Sequence, residues 1–368
     1  MTDEQTQNAG DSSQNIQAGG DITINNNVGL SLLDVKIICN KVYDENFPRL
    51  VDRAAETANS RRDEFMHDFV AKLTTENPTG SASAADPDFL CCMLEAIKAY
   101  ARVGGEDLGN MLVDLLVERT KVSGESLERI ILNESIAVMP KVTAHQIAAL
   151  TVLSSSWLAP ADKHSVDNIQ SLSEYLMKLS APFISQLPND GVSLRHLEYT
   201  GCVSMSVGLR PLETILSRTY PATFVKGFER SQVERLLQCE PRIETLLQPC
   251  TQDSDRFQLI HINEEPVKAK AANLGIAEGV VAKLIRIDKR HRMTEDEVRE
   301  SLVSIAPALS ELFNKWTTIG LVHATPTSVG LAIGYANLRR ITGIKIPLST
   351  WIQSDPEAIP PLQSGYGV

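Results

Sequence analysis

Aromatic residues are scarce in this chain, 5% of 368 residues, and cations are outnumbered by anions, 35 Lys and Arg against 46 Asp and Glu. The first shortage leaves little material for the stacking platforms that hold single-stranded bases. The second, a net charge of −11, argues against general attraction to nucleic acid or anionic lipid, because phosphate binding rests on Lys and Arg. No C-x-x-C pair occurs among Cys39, Cys91, Cys92, Cys202, Cys239 and Cys250, and no H-E-x-x-H or other close ligand pair among the histidines. Both absences disfavour a zinc site. The phosphate loop G-x-x-x-x-G-K-[ST] and the hydrolase elbow G-x-S-x-G are missing too, which removes the usual signals of nucleotide binding and of a serine nucleophile. The polar start Met1-Thr2-Asp3-Glu4-Gln5 lacks the pattern of a secretory signal. A cytoplasmic setting with reduced, mostly buried thiols is expected, without metal or cofactor. Cys91-Cys92 reads as two small core-facing residues rather than a ligand pair. No fixed-period repeat is visible, which disfavours a solenoid.

Among the features that are present, the stretch Asn15 to Asn27 stands out. Asn15 to Ala18 and Ile22 to Asn25 alternate apolar and polar residues, the period of a strand with one buried face. Gly19-Gly20-Asp21 between them supplies the positive φ that a tight hairpin needs. An isolated hairpin is marginal in water, so Ile16, Ile22 and Ile24 need cover. Neighbouring copies of the same segment are the favoured cover over the rest of this chain. Residues 1–28 therefore read as a disordered tail plus a β-hairpin assembly tag, with Ile16, Gly19, Gly20, Ile22 and Ile24 at the oligomer contact.

The remainder predicts a mainly α fold with minor β content. Residues 29–76 form a helical arm. Ser31 with Asp34 makes a capping box, Leu30 and Val35 a hydrophobic staple, and Val35, Ile38 and Val42 share a face. Pro48 predicts a kink or break, since it steers Phe47 away from helical angles. Residues 77–87, rich in small residues and Pro, read as a linker. A helical domain follows over 88–190, with a stop expected at Pro140, a capping box at Thr143 and Gln146, and a helix halted before Pro182. Residues 191–368 form an α-rich domain with short strands near Cys202 to Val207 and Phe257 to Asn263, and a capping box at Thr294 and Glu297. Lys345 to Ile352 reads as a terminal strand or packed tail.

Trp316 to Ala336 is the most apolar stretch and raises the membrane question. Thr325 as N-cap, Pro326 as first helical residue and Gly343 as stop give a helix of about 24 Å, shorter than the ~30 Å hydrocarbon core. A buried helix is expected instead, packed closely through Gly330 and Gly334. The sharper alternative is a helix released toward a membrane on activation, so no membrane contact is expected in the resting state.

One basic cluster interrupts the acidic background: Lys283, Arg286, Lys289, Arg290, His291 and Arg292. It is a candidate anion-binding site for nucleic acid, a nucleotide or an acidic partner. The plainer reading is a solvated helix end, where the dipole favours cations. Acidic runs such as Asp63-Glu64 and Glu295-Asp296-Glu297 read as solvated or first-turn residues. No catalytic residue is assigned.

Several segments carry a resemblance: Leu132-Asn-Glu-Ser135, Met139 to Thr143, His196-Leu-Glu-Tyr-Thr-Gly-Cys202, Thr327-Ser-Val-Gly-Leu-Ala-Ile-Gly334 and Leu348-Ser-Thr-Trp-Ile352. With the Q-A-G-G-D-I leader they resemble a family of uncharacterised bacterial proteins over nearly the whole chain. More distantly, Ser126 to Trp157 and Leu312 to Gly334 are similar to the abortive-infection alpha family. That likeness implies a bacterial setting and a phage-resistance role, with a phage or host protein as partner, and brings no catalytic residues. The leading expectation is a non-enzymatic homo-oligomer acting as a sensor or effector in phage defence. Two alternatives stand beside it. One is a hydrolase or nuclease whose site gathers distant residues. The other is a nucleic-acid-binding regulator using the basic cluster, which the overall charge disfavours.

Overall fold

The computed structural model describes residues 31–122, 124–156, 168–260 and 264–344. The hairpin expected at 15–27, the staple residue Leu30 and the tail expected at 345–352 lie outside these residues. The chain divides into two units, Met1–Ala58 and Asn59–Val368.

In the first unit the described residues form the beginning of helix α1, Leu32–Glu76. Its start follows the predicted box. The Ser31 N–H donates to Asp34 Oδ2 at 3.0 Å, and the Asp34 N–H returns to Ser31 Oγ at 3.1 Å. The break expected at Pro48 is absent, and the helix runs through it. Asp44, whose carbonyl loses its donor to the proline ring, is exposed, so water can satisfy it; the constraint on the residue before proline is a bias rather than a stop.

The second unit is almost wholly helical. Helix α1 ends there, burying Phe65 and Phe69. Residues 77–87 carry a 3₁₀ helix, Pro78–Ala85, whose Gly80 is buried; Asn77 Nδ2 ties its start to Thr120 Oγ1 at 2.9 Å. Small residues permit that close seating. Helices α2 (Pro87–Val103), α3 (Glu106–Lys121) and α4 (Leu127–Val138) follow, then α5 (Ala144–Ser156) and α6 (Ile169–Ile184). The stop at Pro140 takes the form of a 3₁₀ turn, Met139–Lys141. Helix α6 continues through Pro182, contrary to the predicted halt; a proline one turn from a helix end disturbs few hydrogen bonds. Helix α5 opens on the predicted Thr143–Gln146 box and is buried from Gln146 to Ser156. That continuous burial, with no polar face, marks it as the central helix.

Beyond it come α7 (Val192–Tyr199), β1 (Val203–Met205), α8 (Leu212–Thr219), α9 (Arg230–Cys239), β2 (Leu247–Pro249) and β3 (Phe257–Leu259). Then follow α10 (Glu264–Asn273), α11 (Glu278–Arg290), α12 (Glu295–Ile305), α13 (Leu309–Thr318), β4 (Ala324–Pro326) and α14 (Ser328–Thr342). The apolar stretch Trp316–Ala336 thus runs from the end of α13 through a 3₁₀ turn and β4 into α14. β4 pairs antiparallel with β1, Val203 facing Pro326, and β2 pairs antiparallel with β3. This pairing moves the start of α14: its N-cap is Thr327, whose hydroxyl accepts from the Gly330 N–H at 3.2 Å, not Thr325. Gly343 closes it in the left-handed region, φ 70°.

Two apolar clusters form the core. One runs from Phe65 to Leu338, drawing on residues from both sides of the 190/191 boundary. The other gathers Phe228 to Ile285 around α9, β3, α10 and α11.

Candidate functional site

The two glycines of α14 sit where that helix crosses α5. A Cβ at Gly334 would fall 2.6 Å from the Leu150 carbonyl oxygen, and one at Gly330 would fall 3.0 Å from the Cys202 carbonyl carbon. Asn337 Nδ2 donates to Thr151 Oγ1 at 2.8 Å in the same buried seam. Val329 to Leu338 are all buried. Among the described residues no helix is long and apolar enough to cross a membrane. The end of α14 is clamped by charge: Arg339 pairs with both Glu76 and Glu118, and Arg340 with Asp107 at 2.9 Å. Burial pushes the Glu76 carboxyl up, but the Arg339 charge and hydrogen bond outweigh it and hold it below its ordinary range.

The predicted basic cluster is divided by its partners. Lys289 pairs with Glu264, and Arg292 Nη2 lies 3.2 Å from Oδ2 of the buried Asp288. His291 Nδ1 meets the Ile287 carbonyl at 2.9 Å and its ring packs edge-on to Phe228. Lys283, Arg286 and Arg290 are exposed and have no carboxylate partner among the described residues. Their spacing of three and four places them on one face of α11.

A second cationic place was not evident in the sequence. A cleft of about 420 Å³ between α2 and the end of α4 is lined by Lys98, Arg102, Lys141 and Glu95 over Ala99 and Ile136. The i,i+4 spacing of Lys98 and Arg102 was its one signal. All four charged side chains are exposed. Among the described residues no group of three or more His, Cys, Asp and Glu side chains is placed to hold a metal ion.

The thiols correct the sequence reading. Cys39, Cys91 and Cys239 are exposed, and only Cys92, Cys202 and Cys250 are buried. Adjacent residues on a helix point about 100° apart, so Cys91 and Cys92 cannot both face the core. Burial, then the nearby Asp88 charge, pushes the Cys92 thiol up to about 11.

The largest departure from an ordinary surface lies in the first unit. Ten large apolar side chains between Leu32 and Val51 are exposed. Leu32 is 90% exposed, Leu50 60% and Tyr43 57%. Tyr43 and Phe47 stack with ring centroids 4.6 Å apart. Leu32, Val35, Cys39, Tyr43, Phe47 and Leu50 follow each other at steps of 3, 4, 4, 4 and 3 residues, the spacing of one α-helical stripe. The predicted face at Val35, Ile38 and Val42 lies along one edge of that stripe.

No curated protein and no solved structure matches the chain. The model of an uncharacterised protein family matches residues 29–352, and the chain belongs to that family.

Proposed function

We propose that this chain is a self-assembling bacterial protein of the abortive-infection kind, cytoplasmic, acting as a sensor or effector through contact rather than catalysis. The observation that carries the assembly is the exposed apolar helix start in the first unit. Exposed apolar surface of that extent on a monomer marks an interaction site. The likeness of Ser126 to Trp157 and Leu312 to Gly334 to the abortive-infection alpha family supports the defence role. The N-terminal strands, through Ile16, Ile22 and Ile24, belong to the same contact.

Light scattering after size exclusion tests the assembly on the full chain and on a version lacking residues 1–28. A defined oligomer for the full chain and a folded monomer for the truncation are expected; two monomers overturn the assembly. Plaque counts on cells with and without the chain test the defence role, and equal counts across a phage panel overturn it.

A second reading, nucleic-acid binding, draws on the three cations of α11, Lys283, Arg286 and Arg290, that have no carboxylate partner among the described residues. Three phosphate contacts give a slope of about −2 to −3 in log affinity against log salt. Lys283→Glu with Arg286→Glu would abolish that binding. Absent binding of the unmodified chain at low ionic strength ends this reading.

A further inference from the structure

Nine Lys and Arg residues lie between Asn59 and Ala144. Six of them hold a partner: Arg61 donates to the Ala101 carbonyl at 3.1 Å, and Arg62, Lys72, Arg119, Lys121 and Arg129 pair with carboxylates. The other three are Lys98, Arg102 and Lys141. Their side chains make no hydrogen bond or ion pair among the described residues, and all three line the cleft of about 420 Å³ between α2 and the end of α4. One unpaired surface cation is ordinary, since an exposed ion pair contributes little. Three that converge on one concavity, in a chain of net charge −11, make a place that concentrates anions.

Helix-end chemistry does not account for them. The last carbonyls of α2 already have donors, Arg61 for Ala101 and the Gly104 N–H for Tyr100 at 2.7 Å. Lys141 belongs to a separate element, the 3₁₀ turn Met139–Lys141, which is anchored by the buried Met139. Glu95 stands three residues before Lys98, a spacing at which helix side chains can pair, yet these two do not pair in the cleft they share.

We propose that this cleft binds a sugar phosphate. A phosphate monoester carries a charge of about −1.5 to −2 at pH 7, which matches three cations less one carboxylate. Lys98 and Arg102, about 6 Å apart along the helix axis, hold the phosphate from one wall, and Lys141 holds it from the other. Glu95 lies about 10 Å along the axis from Arg102. An ionised carboxylate only accepts hydrogen bonds, so it suits the hydroxyls of a sugar and repels a second anionic group. The buried Ala99 and Ile136 give the C–H face of the sugar an apolar floor. No aromatic side chain lines the cleft, so a nucleobase would find no stacking partner there. The volume falls within the ~300–1,000 Å³ of small-molecule sites. The proposal stands whether or not the chain assembles.

Isothermal titration calorimetry of the full chain tests it, in about 0.1 M salt, where attraction beyond ~10 Å is screened. The probes are triose, pentose and hexose phosphates, the unphosphorylated sugars, inorganic phosphate and a short RNA. One sugar phosphate should bind at one site per chain, about tenfold or more tighter than inorganic phosphate or its own sugar. Lys98→Ala/Lys141→Ala should weaken it by about tenfold or more; both residues are exposed, so an unchanged thermal midpoint is expected alongside. Glu95→Ala should narrow the preference over inorganic phosphate. Lys283→Glu/Arg286→Glu, on α11, should leave the affinity unchanged, which separates this cleft from the nucleic-acid reading. Four results overturn the proposal. They are no sugar phosphate binding at millimolar concentration, inorganic phosphate bound as tightly as the best sugar phosphate, affinity unmoved by Lys98→Ala/Lys141→Ala, and RNA bound more tightly than every sugar phosphate and lost in that same variant.

Discussion

The Thr327 N–H donates to the Cys202 carbonyl at 3.0 Å, and the Thr327 hydroxyl donates to the Gly201 carbonyl at 2.6 Å. Two segments far apart in sequence, H-L-E-Y-T-G-C and T-S-V-G-L-A-I-G, therefore meet at the start of α14. Gly330 is required there because its Cα lies against the Cys202 backbone. Gly330→Ala and Gly334→Ala should each destabilise the second unit by about 1–3 kcal/mol, the usual cost of forcing extra volume into a packed core. The obstacles are backbone atoms, which cannot rotate away. Gly279, also helical, has open space at its Cβ position, so Gly279→Ala should stabilise by about 0.5–1 kcal/mol. Thermal unfolding of the three variants reads the contrast in sign.

Arg119 is a buried cation inside an apolar helix face. Its Nη2 lies 3.0 Å from Asp86 Oδ2 and 2.8 Å from Asp88 Oδ2, and its Nε donates to Asn133 Oδ1 at 2.9 Å. Asn133 also donates to Asp88 at 2.9 Å. Arg119→Ala should cost about 3 kcal/mol, the lower end for a broken buried pair, because the carboxylates keep access to water. Chemical denaturation measures it.

The same cluster has a defined pH dependence. The Asn133 hydrogen bond, followed by the Arg119 hydrogen bond and charge, holds the Asp88 carboxyl below its ordinary value near 3.8. Its contribution to stability is present above the unfolded value and is lost as pH falls through the lower folded one. Asn133→Ala should raise the Asp88 value and move acid unfolding to higher pH. Acid titration followed by circular dichroism checks the direction; an unchanged midpoint would show that Asp88 does not couple to folding.

What was readable beforehand follows from how local each cause is. Capping boxes at Ser31, Thr143 and Thr294 involve side chains three residues apart and were visible in the sequence. So was the close packing role of small residues in α14. Proline stops at 48 and 182 failed because a ring forbids one hydrogen bond, and neither solvent nor a nearby helix end makes that loss decisive. Thr325 failed as a cap because the competing partner, Val203 to Met205, is more than a hundred residues away. Arg119 and the Lys98–Arg102–Lys141 cleft were hidden for a similar reason: their partners come from separate helices. The basic cluster was legible as charge, but not as the division into paired Lys289 and Arg292 and, among the described residues, Lys283, Arg286 and Arg290 without a carboxylate partner. The full apolar stripe of α1 was partly missed because the face read through Val35, Ile38 and Val42 runs along its edge, and the expected break at Pro48 took Phe47 and Leu50 out of the helix.

Thiol reactivity joins the core to the assembly. The thiolate is the reactive form, so burial and a raised value both slow the reaction. Burial raises Cys92 to about 11 and raises Cys202 as well, and Cys250 is buried against the Val225 carbonyl. These three should react only on unfolding. Cys91 and Cys239, exposed on α2 and α9, should react at once with a colorimetric disulfide reagent. Cys39 discriminates between the states. In an assembly made through the α1 stripe Cys39 is covered and should react slowly, while in Tyr43→Asp/Phe47→Asp it should join the fast class. The fast amplitude should therefore rise from two thiols to three on disrupting the stripe, with no change in the slow class. A fast class of three in the unmodified chain, at a concentration where light scattering reports an oligomer, would place the interface away from Cys39.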